Sequence, residues 1–148
     1  MTAVFGLVLG FLATGVLPAQ AAPAERASDG VGKAASVAAA EPTTWPAASR
    51  RYRVPHGSSL DCPSGYACTT TNDDSTGSWR FEFYSYGTYS LNNWFGQNGS
   101  VSNSQTGDAG MRLLDQNGKV LRCQWAGTGD IGINWDPVWY ISLSATPC

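Results

Sequence analysis

All four cysteines of this chain, Cys62, Cys68, Cys123 and Cys148, fall in residues 61–148, and none precedes them. An even count confined to one short segment reads as two disulfides, a device by which small exported domains with a limited core are held together. Three pairings are open. Cys62–Cys68 with Cys123–Cys148 is preferred, partly because the first closes a tight ring around Pro63, Ser64 and Gly65. The second fastens the last residue to the interior of a strand. Loop-entropy arguments assign the two bridges about 2 and about 3.5 kcal/mol. Zinc is the competing use of the thiols. Neither C-x2-C spacing nor an accompanying histidine supports it.

The segment before the first cysteine reads differently. Val4–Leu17 is an apolar run followed by Ala19-Gln20-Ala21, a small-x-small cleavage pattern. It is shorter than the roughly 20 apolar residues a membrane span requires. Residues 1–21 are therefore expected to be a signal peptide, giving a secreted, extracellular product with no membrane contact after cleavage. Residues 22–60, rich in Ala, Pro and Ser, are expected to be a flexible tether or pro-segment, because they offer too little to bury against the entropy of ordering. Their basic cluster, Arg50-Arg51-Tyr52-Arg53, fits a protease processing site or a polyanion contact, but a solvated linker is the preferred reading.

Residues 61–148 are expected to form the folded, monomeric domain. Trp79, Phe81 and Phe83 alternate with Arg80, Glu82 and Tyr84, the period of two of a half-buried strand. Further strands are read at 86–91, 111–114, 119–122 and 138–143. Asn117-Gly118 between two of them signals a type I′ hairpin. No helix is read. The fold class is all-β, a small disulfide-stapled antiparallel sandwich or barrel. Residues 1–60 hold five basic and three acidic groups and residues 61–148 hold four and eight, so the folded part is acidic. That disfavours nucleic acid as a partner, since affinity there rests on phosphate neutralisation.

The run Cys62-Pro63-Ser64-Gly65-Tyr66-Ala67-Cys68 is similar to the opening of the secreted actinobacterial metalloproteinase-inhibitor family. Tyr86-Gly87-Thr88-Tyr89-Ser90-Leu91 with Trp94, Asn103-Ser104-Gln105-Thr106-Gly107 and Trp135-Asp136-Pro137-Val138-Trp139-Tyr140 fit the same pattern, so the resemblance covers residues 61–148. It implies a βγ-crystallin-like Greek-key sandwich and inhibition of an extracellular protease. Known inhibitors of the family resemble substrates, presenting a strained loop closed by a second short disulfide. This chain has no second short Cys–Cys loop, so no reactive-site residue is carried over. The candidate inhibitory segment is instead sought within the Cys123–Cys148 ring, at the glycine-rich stretch Trp125–Ile133, with Trp125, Ile131 and Ile133 as apolar anchors, though the preferred reading of these three is as core or strand residues around an ordinary loop.

Other chemistry is thinner. The one histidine, His56, lies in the expected tether, which disfavours a Ser–His or Cys–His site, and no enzyme is expected. Glu82 with Asp115 or Asp136 is the remaining carboxylate pairing. No cofactor is expected beyond a weak calcium site, with Asn72, Asp73 and Asp74 in one stretch and Asn98 and Ser102 in another as candidate ligands. Polar turns explain both stretches equally well. Core packing is the preferred reading of the tryptophans as a set; Trp94, beside Asn93, has the most claim to exposure and is the candidate glycan contact of a cell-wall-binding module, the alternative to an inhibitor. A crystallin-type structural or toxin-like domain is the third reading.

Overall fold

The computed structural model describes residues 40–71, 76–94 and 98–148. The expected signal peptide and the first part of the expected tether, as well as Asn72, Asp73 and Asp74, lie outside the described residues. Ten strands are present: β1 (Thr43–Trp45), β2 (Arg50–Val54), β3 (Ala67–Thr71), β4 (Ser78–Phe83), β5 (Gly87–Asn92), β6 (Asn98–Asn103), β7 (Gly110–Leu114), β8 (Val120–Trp125), β9 (Thr128–Asn134) and β10 (Tyr140–Ser144). They form two five-stranded sheets, ordered β1-β5-β10-β7-β8 and β2-β4-β3-β6-β9. Every strand pairing is antiparallel. No helix occurs among the described residues. The all-β, helix-free sandwich read from alternation is the fold observed.

The inward rows of the two sheets make one core. Phe81, Phe83 and Val101 of the second sheet meet Tyr89, Leu113 and Ile141 of the first. Trp94 and Trp135 fill the centre edge-on, 4.8 Å apart, and Phe81 lies 4.5 Å from Trp94. Each indole satisfies its N–H inside the core: Trp94 donates to the Thr43 carbonyl at 2.9 Å and Trp135 to the Thr70 carbonyl at 3.1 Å. Gly99 is what lets Trp135 reach that carbonyl. A Cβ at position 99 would stand 1.7 Å from the Thr70 oxygen and 2.6 Å from the Trp135 indole nitrogen.

Both disulfides pair as preferred, Cys62–Cys68 and Cys123–Cys148, each with Cα atoms 5.7 Å apart. The expected hairpin is present with a different turn. Gly118 N–H donates to the Asp115 carbonyl at 3.1 Å, Gly118 has φ +79°, and Asn93 is the one described non-glycine with positive φ. This is a type I turn closed by a left-handed glycine, not type I′. Asp115 prefers it because its Oδ1 accepts the N–H groups of Asn117 and Lys119 at 2.8 and 2.9 Å.

The expected boundary between tether and domain at 60/61 is not where the fold begins. β1 and β2 belong to the sheets, with Thr44 opposite Leu91 and Tyr52 opposite Arg80. Arg50–Arg53 is therefore an edge strand and not a solvated linker. Arg51 and Arg53 place their guanidiniums 4.5 and 5.2 Å from the Trp79 ring. Arg51 also donates to Glu41 and the Pro42 carbonyl, both at 3.1 Å. Arg50 meets Glu82 at 3.0 Å, and the Tyr52 hydroxyl donates to the same carboxylate at 2.6 Å. Arg80 donates to the Ser59 carbonyl at 2.5 Å. The polar alternates of β4 are thus buried by the Arg50 and Tyr52 side chains of β2 and by the segment leading to the Cys62–Cys68 ring. The half-buried strand of the sequence reading is buried on both faces.

Candidate functional site

The β8–β9 corner, where the chain crosses from one sheet to the other, holds the segment expected to be inhibitory. It is built on strands, not on a loop, and its turn is only Ala126-Gly127. Gly127, with φ +79°, donates its N–H to the Asn103 carbonyl at 2.6 Å. The Thr128 hydroxyl donates to the Trp125 carbonyl at 2.7 Å, closing the turn from the other side. Cys123 of β8 is fastened to Cys148. Arg112 holds the tail in turn, donating to the Ser144 hydroxyl at 2.6 Å and the Pro147 carbonyl at 2.5 Å. Such a corner has few conformations to lose on binding.

A β-bulge in the β6–β9 pairing decides what this corner displays. Ser100 of β6 faces Ile131 and Gly99 faces Ile133, so Gly132, with φ +71°, is an extra residue on β9. In an unbroken strand Ile131 and Ile133 share a face. One inserted residue reverses the alternation. Ile133 turns into the core at 4% exposure, whereas Ile131 stands out at 84%. Trp125 is exposed at 54%. Of the three expected anchors two are presented and Ile133 is not: it is a core residue. β8 and β9 are the edge strands of opposite sheets. The Arg122–Asp130 ion pair links them. Beside it lies a groove of about 260 Å³ lined by Leu121, Ile133, Pro137 and Val138 among others.

The remaining candidates fare less well. Trp94 is fully buried and its N–H is spent on Thr43, so it offers no face to a sugar. Asn93, at φ 62°, turns its side chain back to donate to the Glu41 carbonyl at 3.2 Å. Both are fold residues, a correction with a simple cause: the polar neighbours of Trp94 mark a turn over a core indole. Asn98 and Ser102 lie on β6, paired on both sides with β3 and β9. Four residues apart on an extended strand is about 13 Å, too far for two ligands of one calcium ion. Among the described residues no three His, Cys, Asp or Glu side chains group as a metal site.

The carboxylates are occupied structurally. Glu82 is buried against Arg50 and Tyr52, and Asp115 caps its turn. Burial raises the Tyr89 phenol above its ordinary value of 10.0, and its hydroxyl donates to the Ser85 carbonyl at 2.8 Å. Residues missed in the sequence are Tyr66, Tyr84 and Tyr86, whose rings gather outside the core; alternation alone gives no sign of that, because they sit at strand ends and in loops. Comparison with family models, with curated proteins and with solved structures returns no match.

Proposed function

We propose that this chain is an exported peptidase-inhibitor-like domain that blocks an extracellular protease through the β8–β9 corner. The observation that carries the reading is Ile131, an isoleucine at 84% exposure on an edge strand, turned outward by the Gly132 bulge. Large apolar side chains held in the open on a braced corner are costly to solvate unless a partner covers them. Proteases bind extended chain by strand addition, and the outer edge of β9 has no strand beside it in the sheet order. Trp125 adds an aromatic anchor from the neighbouring strand. The Greek-key, βγ-crystallin-like lineage belongs to the same proposal and is supported by the antiparallel sandwich and the Cys62–Cys68 ring. Secretion is supported by the two disulfides, which suit an oxidising compartment. No helix among the described residues is long and apolar enough to cross a membrane.

The test is inhibition of a thermolysin-like and a subtilisin-like protease by the purified, oxidised protein. Inhibition is expected at micromolar concentration or below, and Trp125→Ala with Ile131→Ala is expected to abolish it without loss of fold. A folded protein that inhibits neither enzyme at tens of micromolar overturns the proposal.

A further inference from the structure

A second surface, built from none of the β8–β9 residues, lies where the Cys62–Cys68 ring meets the β4–β5 turn. A groove of about 400 Å³ is lined there by Gly65, Tyr84, Ser85, Tyr86, Gln105 and Thr106. Tyr84 and Tyr86 are 62% and 52% exposed. Tyr84 is held by its neighbours: its ring centroid lies 5.3 Å from that of Tyr66, and its N–H donates to the Ser49 hydroxyl at 2.9 Å. Tyr66 is held in turn by Arg50, which lies 4.9 Å over its ring and donates to its hydroxyl at 3.2 Å. The far wall is equally braced. Gly65 N–H donates to the Ser104 carbonyl at 2.8 Å, and Ser104 N–H to the Tyr66 carbonyl at 2.9 Å.

Two features identify what such a groove takes. Its lining contains hydroxyls, an amide and aromatic rings, with no carboxylate, ammonium or guanidinium. A charged ligand finds no counter-charge there. The second feature is Gln105. Its residue is 6% exposed, yet its Oε1 is buried without a hydrogen-bond donor. An orphaned carbonyl oxygen is costly, and the terminal torsion of a glutamine is soft enough to bring it to the groove wall. The ligand that completes the site must therefore bring donors as well as a face to lie on a ring. A proline-rich peptide has the face, but its prolines bring no N–H. A sugar ring has an apolar C–H face and hydroxyl donors around its edge.

We propose that the Tyr84–Tyr86 groove binds a neutral saccharide, stacked on the tyrosines and donating a hydroxyl to Gln105. The test uses the full, oxidised chain labelled with 15N and titrated with cellotetraose, chitotetraose and mannotetraose, with a proline-rich decapeptide as the competitor class. At least one saccharide is expected to give saturable amide shifts confined to Ser85, Tyr86, Gln105 and Thr106. Tyr86→Ala is expected to weaken it about tenfold. Gln105→Leu is expected to weaken it several-fold, and Tyr86→Ala decides alone if that variant does not fold. Three saccharides without a saturable shift, binding that ignores Tyr86→Ala, or saturation by the peptide in their place each overturn the assignment. Protease inhibition is read in a separate assay, so failure of one reading leaves the other standing.

Discussion

Asn103 is the residue on which the β8–β9 corner and the tyrosine groove both rest, and replacing it with leucine makes a quantitative test. Its side chain is wholly buried at the end of β6. Nδ2 donates to the Ala109 carbonyl at 2.9 Å and to the Gln124 carbonyl at 3.0 Å, and Oδ1 accepts the Gln105 N–H at 3.3 Å. Leucine is close in volume, so little cavity energy enters. Two well-made bonds and one long one are lost, and the stranded partners stay away from water. At about 1–3 kcal/mol for each of the two strong bonds, and less for the third, the variant is expected to lose about 4 kcal/mol. That is a large share of the 5–15 kcal/mol typical of a domain, and corresponds to a melting midpoint lowered by roughly 15 °C. Urea denaturation of the oxidised protein, followed by tryptophan fluorescence, measures it. Asn103→Asp sharpens the test. It keeps the acceptor, loses both donors and buries a carboxylate against two carbonyls, which raises its folded pKa. That variant is then less damaged near pH 3 than at pH 7, since stability falls as pH rises through a raised pKa. A leucine variant within about 1 kcal/mol of the parent refutes the hub reading.

Three further outcomes follow from the packing. Trypsin is expected to spare the bonds after Arg50, Arg51 and Arg53 in the oxidised protein and to cut them after reduction in urea, because β2 is paired along its length with β4; rapid native cleavage there revives the processing-site reading. Gly99→Ala is expected to cost at least about 3 kcal/mol, since its Cβ would overlap the Thr70 carbonyl; a near-native denaturation midpoint contradicts the close approach. Above pH 10, stability is expected to fall as the unfolded chain loses a phenolic proton that the buried Tyr89 retains. Tyr89→Phe should remove that part of the alkaline slope, and an unchanged slope in a pH series of melts argues against its burial.

Particular elements show where reading by pattern succeeds and stops. Trp79-Arg80-Phe81-Glu82-Phe83 alternates cleanly and is β4, because a side chain on a pleated strand has only two directions to take. Arg50–Arg53 shows no apolar alternation and is nevertheless β2, since β4 offers it a buried glutamate on one face and a buried tryptophan on the other. Thr128–Asn134 reads as a glycine-rich loop and is β9. Its strand character comes from pairing with β6, and Gly132 supplies a bulge that composition does not announce. Trp94 reads as exposed from its amide neighbours and is buried, because its environment is made by Thr43, Phe81 and Trp135, all distant in the chain.

Local chemistry was enough to determine an all-β, helix-free sandwich with two cross-links over residues 61–148, because strand period and cysteine spacing are properties of adjacent residues. Which aromatics face water, where the sandwich begins, and which isoleucine of the β8–β9 corner is offered to a partner were decided only when the sheets closed. Those properties depend on register and on neighbours brought in from far along the chain, and a single extra glycine in one strand is enough to reverse them.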